Sequence, residues 1–248
     1  MINELTTKEF WIGDKANHVF YRQSKGHGIN LFINKYIPKS KNSSCIEIGS
    51  FPGPYLATFG DLGYTLNGID FHPLNQSELP KWLQSQGFKT GEFSSADFFQ
   101  FSTGKSYDVV ASFGFIEHFV DYTDAIMRHV KLVNDNGYLV ITTPNFRGWI
   151  QHWLHKVFDK DNLSKHNIKS MNTAEWKKIL EENGFEVLYH GYFGDFWFWR
   201  GHEKLPFFKR KLLWFTERLL PIIRKLLWFQ SKAFSAYAGI VAKKASCL

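Results

Sequence analysis

The chain has 248 residues, 44% hydrophobic and 18% aromatic, enough for one substantial α/β core and too apolar for a disordered protein. Its net charge of +7 is concentrated: between Glu203 and Lys232 eight Lys and Arg residues meet two Glu, and the rest of the chain is nearly neutral. That distribution excludes a uniformly basic nucleic-acid binder. Two cysteines, Cys45 and Cys247, make neither a disulfide framework nor a zinc set and fit a reducing cytosol. The polar start MINELTTKEFWIGDK lacks a signal-peptide pattern, and no uncharged apolar stretch reaches the roughly 18 residues of a spanning helix. The expectation is a cytoplasmic protein, at most peripheral at the inner face of a membrane.

In chain order, residues 1–40 read as a helical cap, broken at Gly26 and Gly28 before the apolar stretch Ile29–Ile37. After a polar loop, Cys45–Ile48 is a short strand running into a glycine turn. Leu56–Leu62 is a helix stopped by Gly63, and Tyr64–Ile69 a strand closed by Asp70. A helix spans 78–87 with Gly87 as its stop, and Phe93 marks a short third strand. Tyr107–Ser112 is a strand, followed by a helix near 121–133. Tyr138–Thr143 is a strand stopped by Pro144. Thr173 caps a helix over Thr173–Glu182 whose Trp176, Ile179 and Leu180 share a face, with Gly184 ending it. Phe185–Tyr192 and Tyr237–Ala242 are the last strands. Strands alternating with helices imply a parallel-type sheet wrapped on both faces, binding its ligand beyond the C-terminal strand ends.

The chemistry concentrates at Glu47-Ile48-Gly49-Ser50-Phe51-Pro52-Gly53. A strand turns sharply into a helix here, and Gly49 and Gly53 let the backbone approach a ligand. Asp70 follows Gly49 by 21 residues, at the next strand end, where a carboxylate can accept both ribose hydroxyls of a nucleoside. A tight turn with a helix-capping Asp is the plain alternative. A dinucleotide is disfavoured: Phe51 stands where a middle glycine would sit, and Glu47 suits a cationic ligand better than a diphosphate.

This stretch resembles motif I of class I S-adenosylmethionine-dependent methyltransferases, with Phe51 as the departure. NGIDFHP resembles the family's second motif, implying Asp70 on the ribose and Phe71 against adenine. SSADFF resembles the third, implying Asp97 at the adenine amino group and Phe98 beside the ring. YDVVASFGFIEHF resembles the fourth, implying Ser112 and Phe113 near the methionine end of the cofactor. Ser50 and the two glycines belong to the same cofactor loop. The resemblance implies a Rossmann-like seven-stranded, mostly parallel sheet of order 3-2-1-4-5-7-6 with helices on both faces. S-adenosylmethionine would be the cofactor and S-adenosylhomocysteine the product. The nearest subgroup is that of the ubiquinone-biosynthesis O-methyltransferases, marked by Ile116-Glu117-His118-Phe119. In some relatives an E-x-x-E-H pattern holds a divalent metal; Gly114 replaces its first Glu here, so no metal is expected.

Methyl transfer mainly requires alignment of acceptor and sulfonium. A hydroxyl acceptor must also lose its proton, for which His118 is a suitable base beside Glu117; the alternative is that both merely brace the following helix. His166 and Asn145 either face the acceptor or are ordinary loop residues. Residues 205–229, LPFFKRKLLWFTERLLPIIRKLLWF, place Lys and Arg on one helical face among Leu, Ile, Phe and Trp. Pro221 starts a second helix or kinks the first. Either the segment dips into an anionic membrane surface or it packs on the core or a partner. With DFWFWR at 195–200 it also reads as a lid over a greasy acceptor. The organisation is therefore a cap over 1–40, a methyltransferase domain over 41–202 plus 233–248, and an insertion over 203–232. The expected activity is O-methylation of a small-molecule, lipid-linked or glycan acceptor. An RNA or protein methyltransferase and a non-catalytic cofactor-binding protein are the alternatives; no nucleic-acid partner is expected.

Overall fold

The computed structural model describes residues 5–14, 19–196, 198, 205–226 and 230–246. Seven strands form one sheet: β1 (Ser44–Ile48), β2 (Thr65–Asp70), β3 (Thr90–Ser95), β4 (Tyr107–Phe113), β5 (Val133–Pro144), β6 (Phe185–Phe193) and β7 (Tyr237–Lys244). Their order is β3-β2-β1-β4-β5-β7-β6, as the resemblance implied. β1 to β5 run parallel, and β7 lies antiparallel between β5 and β6. The helices are α1 (Lys8–Asp14), α2 (Gly28–Tyr36), α3 (Leu56–Asp61), α4 (Leu74–Ser77), α5 (Leu79–Ser85), α6 (Tyr122–Lys131), α7 (Trp149–Phe158), α8 (Lys160–Ser164), α9 (Thr173–Glu182) and α10 (Phe207–Leu226).

Alternation along the central strands builds two cores, because successive side chains point to opposite faces. Ile46 and Ile48 join Val110, Leu139, Ile141 and Trp176 on one face. Cys45 joins Val109, Ala111, Val140, Ile33 and Phe59 on the other. Trp176 is fully buried, and its indole N–H donates to the Ser170 carbonyl at 2.6 Å. The residue that caps α9 is Asn172, not Thr173, and neither makes a side-chain cap bond.

Two readings of the sequence change. α10 continues through Pro221, so no second helix starts there. Proline removes the bond to the carbonyl four residues back, and Glu217 is solvent-exposed, where water can take that bond. Phe196 and Phe198, read as part of a lid, are buried away from the surface: with Leu154, Phe158, Leu213 and Phe234 they form a third apolar cluster that ties α10 to α7. Trp197, Trp199, Arg200 and Cys247 lie outside the described residues. Among the described residues no helix is long and apolar enough to cross a membrane.

Candidate active site

The C-terminal ends of β1, β2 and β4 open into a cavity of about 240 Å³. Its lining includes Glu47, Gly49, Ser50, Asp70, Phe71, Asp97, Phe98, Phe113 and His118, gathered from loops up to 71 residues apart in sequence. The β1 turn is tied to β2, with the N–H groups of Gly49 and Ser50 both donating to the Ile69 carbonyl, at 2.8 and 3.2 Å. Gly49 and Gly53 have φ of 74° and 83°, the left-handed region that favours glycine. A Cβ would come within 3.0 Å of the Phe115 ring at Gly49, and within 2.5 Å of the Leu79 side chain at Gly53. Both glycines are thus required by the path of the loop, though Gly53 does not itself line the cavity.

Asp70 is buried at the mouth of β2. Its carboxylate accepts from the Phe51 N–H at 3.2 Å and the His72 N–H at 2.8 Å, which fixes its orientation beside the cavity. Phe51, in place of a glycine, stacks on the His72 ring at 4.0 Å and fills the apolar space beneath the turn. The Ser50 hydroxyl donates to Asn75, whose amide donates to the Ser94 carbonyl, so Ser50 anchors the loop to α4. Asp97 accepts from the Phe99 N–H at 2.9 Å. Phe98, Phe99, Phe115 and Phe119 pack edge-to-face or tilted against one another, an apolar slot beside the two carboxylates. Ser112 is fully buried and lines neither this cavity nor the one beside it, placing it beneath the site.

A second cavity, of about 360 Å³, adjoins the first. Tyr55, Phe113, Gly114 and His118 line both. Its polar lining includes Gln23, His27, Glu117, Thr142, Thr143 and His166, and its aromatic wall Tyr55, Phe113 and Tyr237. Glu117 and His118 form a short 3-10 turn (Ile116–His118) whose backbone is clamped on both sides. The Leu5 N–H donates to the His118 carbonyl at 2.9 Å, and the Asn167 N–H to the Glu117 carbonyl at 2.7 Å. Glu117 is 1% exposed, and neither carboxylate oxygen has a hydrogen-bond partner among the described residues. Burial pushes its carboxyl up to about 8. Burial also pushes the His166 imidazole down to about 4, so it is neutral near pH 7. His118 and His166 stand ring to ring at 4.8 Å, and each donates Nδ1–H to a backbone carbonyl, of Lys165 and Asn162 respectively.

The structure therefore brings His166 to the site, while Asn145 is a structural knot: its amide donates to the Lys232 and Ser235 carbonyls and its oxygen accepts from Gly148. Thr6 and Trp11, which the sequence reading did not single out, line the first cavity, and the Trp11 ring meets His118 edge-on at 4.7 Å. The cover is thus the segment around α1. No residue of 205–226 lines either cavity, so α10 is not the lid it was expected to be.

A methyltransferase-domain family profile matches residues 21–190. The chain therefore belongs to the methyltransferase-domain family, in the class I S-adenosylmethionine-dependent group. Among curated proteins, none matches the sequence. Of the solved structures, a SAM-dependent methyltransferase from Archaeoglobus fulgidus is 18% identical, with a TM-score of 0.54 over 96% of this chain and 100% of that one. Magnesium protoporphyrin IX methyltransferase from Synechocystis, with bound S-adenosylhomocysteine, is 15% identical, with a TM-score of 0.55 over 88% of this chain and 80% of its own. At these identities the likeness is one of fold.

Proposed function

We propose that the chain moves a methyl group from S-adenosylmethionine, held in the first cavity, to a small-molecule acceptor held in the second. The observation that carries this reading is the shared wall: the buried His118 borders both spaces, and Glu117 beside it lines the second. The residues fit the cofactor. Asp70 is a fixed carboxylate for a ribose, the Phe98–Phe119 slot takes a flat apolar base, and Glu47 gives a cationic ligand a favourable neighbour. Bound there, the sulfonium supplies an electrophilic methyl carbon. The protein's own contribution is alignment, which can be worth up to about 7–11 kcal/mol in the best cases. His118, beside the buried Glu117, supplies the proton acceptor that an acceptor hydroxyl needs. Calorimetric titration with S-adenosylhomocysteine tests the cofactor site: one molecule per chain is expected, and no heat of binding would end this reading.

We also propose a peripheral membrane contact through α10. Phe208, Leu212, Phe215, Leu219, Ile222 and Leu226 recur at three- and four-residue steps, and all are exposed, Phe208 at 84%. Trp149 and Trp153 of α7 add exposed aromatic area, and Lys211 and Arg218 lie over aromatic rings of α10. Apolar residues beside cations are what an interfacial helix presents to anionic lipid. In vesicle sedimentation the protein should pellet with phosphatidylglycerol vesicles and much less with phosphatidylcholine. Changing Phe208, Phe215 and Leu219 together to Ser should lower the bound fraction at least tenfold. Equal sedimentation of variant and wild type would overturn the contact.

A further inference from the structure

Three polar side chains of the second cavity are buried without a partner. Glu117, Thr142 and Thr143 line it and are each 1% exposed. Both Glu117 carboxyl oxygens and the two threonine hydroxyls have no hydrogen-bond partner among the described residues. Oε1 of Glu117 borders open space: a Cβ at Gly114, which lines both cavities, would meet that oxygen at 3.5 Å and nothing else within 4 Å. A buried polar group left unpaired costs about 1–3 kcal/mol, so four such oxygens on one cavity mark a place where a ligand supplies the partners.

The chemistry of this lining selects the ligand. Among the described residues no Lys, Arg or Asp lines the cavity. Near pH 7 burial keeps the proton on Glu117 and on the Tyr55 and Tyr237 phenols, and it keeps the His27 and His166 imidazoles neutral. An ammonium therefore finds no fixed anion here, and a carboxylate or phosphate finds no fixed cation; each would be buried as an unpaired ion. Protonated Glu117 and the two threonines each donate one hydrogen bond and also accept, which matches hydroxyl groups on the ligand. One hydroxyl donates once and accepts twice, so it meets at most three of the four oxygens, and a ligand that completes the set carries more than one. The wall of Tyr55, Phe113 and Tyr237 offers an apolar surface to the C–H face of a ring. A third cavity, of about 600 Å³, continues past His27 and Tyr237, which line both. Its wall is again aromatic, with Phe32, Tyr36, Tyr189 and Phe193, and Lys35, Asp195 and Gln230 are among its polar members. A single phenolic ring would leave that surface uncovered; a run of sugar rings, each with an apolar face and a hydroxylated edge, covers it.

We propose that the acceptor is a neutral saccharide, its terminal sugar ring hydrogen-bonded to Glu117, Thr142 and Thr143 in the second cavity and its following units lying along the third. The proposal rests on the cofactor assignment above and specifies the acceptor. The hydroxyl that receives the methyl group is the one presented at Gly114 and His118, where the first and second cavities meet. Its proton passes to His118, an oxygen lone pair forms the new O–C bond to the methyl carbon, and the C–S bond breaks with its electrons going to sulfur. The products are a sugar methyl ether, neutral S-adenosylhomocysteine and a protonated His118, whose proton then returns to solvent.

The test titrates the whole chain, with and without S-adenosylhomocysteine, and follows ring probes by NMR: the methyl pyranosides of glucose, galactose, mannose and rhamnose, then catechol, cyclohexylamine and cyclohexanecarboxylate. The best pyranoside should bind about tenfold more tightly than any of the other three rings. Maltose or lactose should bind more tightly than the methyl pyranoside of its terminal sugar. Thr142→Val combined with Thr143→Val should weaken the best pyranoside about tenfold, while the melting temperature holds or rises because two unpaired hydroxyls leave the interior. Absence of pyranoside binding, equal or tighter binding of catechol, the amine or the carboxylate, or a double variant that binds the sugar as the wild type does would overturn the proposal. Disaccharides no tighter than the monosaccharides would overturn its extension into the third cavity. The wild-type comparison needs no variant to fold. Because S-adenosylhomocysteine binding is read separately, loss of the sugar preference alone strikes the acceptor, and loss of S-adenosylhomocysteine binding strikes the cofactor assignment.

Discussion

Glu117→Gln should make the protein harder to unfold above neutral pH while stopping turnover. The carboxyl is 1% exposed, and burial moves it from 4.5 to about 8 in the folded chain. Between those values the folded state holds a proton that the unfolded state has released. Stability therefore falls as pH rises through that window, and the loss is complete above about 8. A shift of this size corresponds to about 5 kcal/mol, of which about 4 is lost above pH 5. The titratable groups facing Glu117 are His118 and His166, and His166 is already neutral across the window, so it offers no compensating charge. Glutamine removes the ionisation and keeps the shape. Melting curves should show the wild type losing roughly 8–16 °C more than the variant between pH 5 and pH 9. Parallel curves would mean that Glu117 is not held as a buried acid. The stability given up by wild-type Glu117 is the signature of a group retained for chemistry, since a purely structural residue there would not be an uncompensated acid.

Much of this site was legible in the residues. Glu47, Gly49 and Asp70 belong to one strand–turn–helix–strand unit, and the alternation of β1, β4 and β5 follows from local pattern. The conditions that place His166 are not local. It reaches His118 because Asn167 donates its backbone N–H to the Glu117 carbonyl and its side chain to those of Phe119 and Val120. No periodicity encodes a contact between two irregular loops. The segment around α1 is similar: a polar helix can be read there, yet it is the Leu5 bond to the His118 carbonyl and the edge-on contact of Trp11 with the His118 ring that put Trp11 over the site. Composition misled at 195–200, where aromatic density reads as part of a lid but Phe196 and Phe198 complete a buried cluster. The apolar stripe of α10 was readable; that it faces away from both cavities depends on Leu213 packing against α7.

Asp70→Ala should cost at least a hundredfold in affinity for S-adenosylhomocysteine without unfolding the chain. The carboxylate is buried and held by two backbone N–H groups, so its oxygens are oriented before any ligand arrives. Hydrogen bonds to a charged group are worth about 1.5–3 kcal/mol each, and a ribose offers two hydroxyls to one carboxylate. Losing both exceeds the roughly 2.7 kcal/mol that corresponds to a hundredfold. Part of the cost falls on the protein, because the Phe51 and His72 N–H groups lose their acceptor and the turn that carries Gly49 loosens. Asp70→Asn separates the two effects: it keeps an oxygen for one N–H but has no charge for the ribose, so binding should fall about tenfold while the melting temperature stays near that of the wild type. Asp97 lines the same cavity but is less buried, and its loss should be milder. A folded Asp70→Ala protein that binds S-adenosylhomocysteine within threefold of the wild type would remove Asp70 from the cofactor site, and with it the reading of the β2 end as the ribose grip.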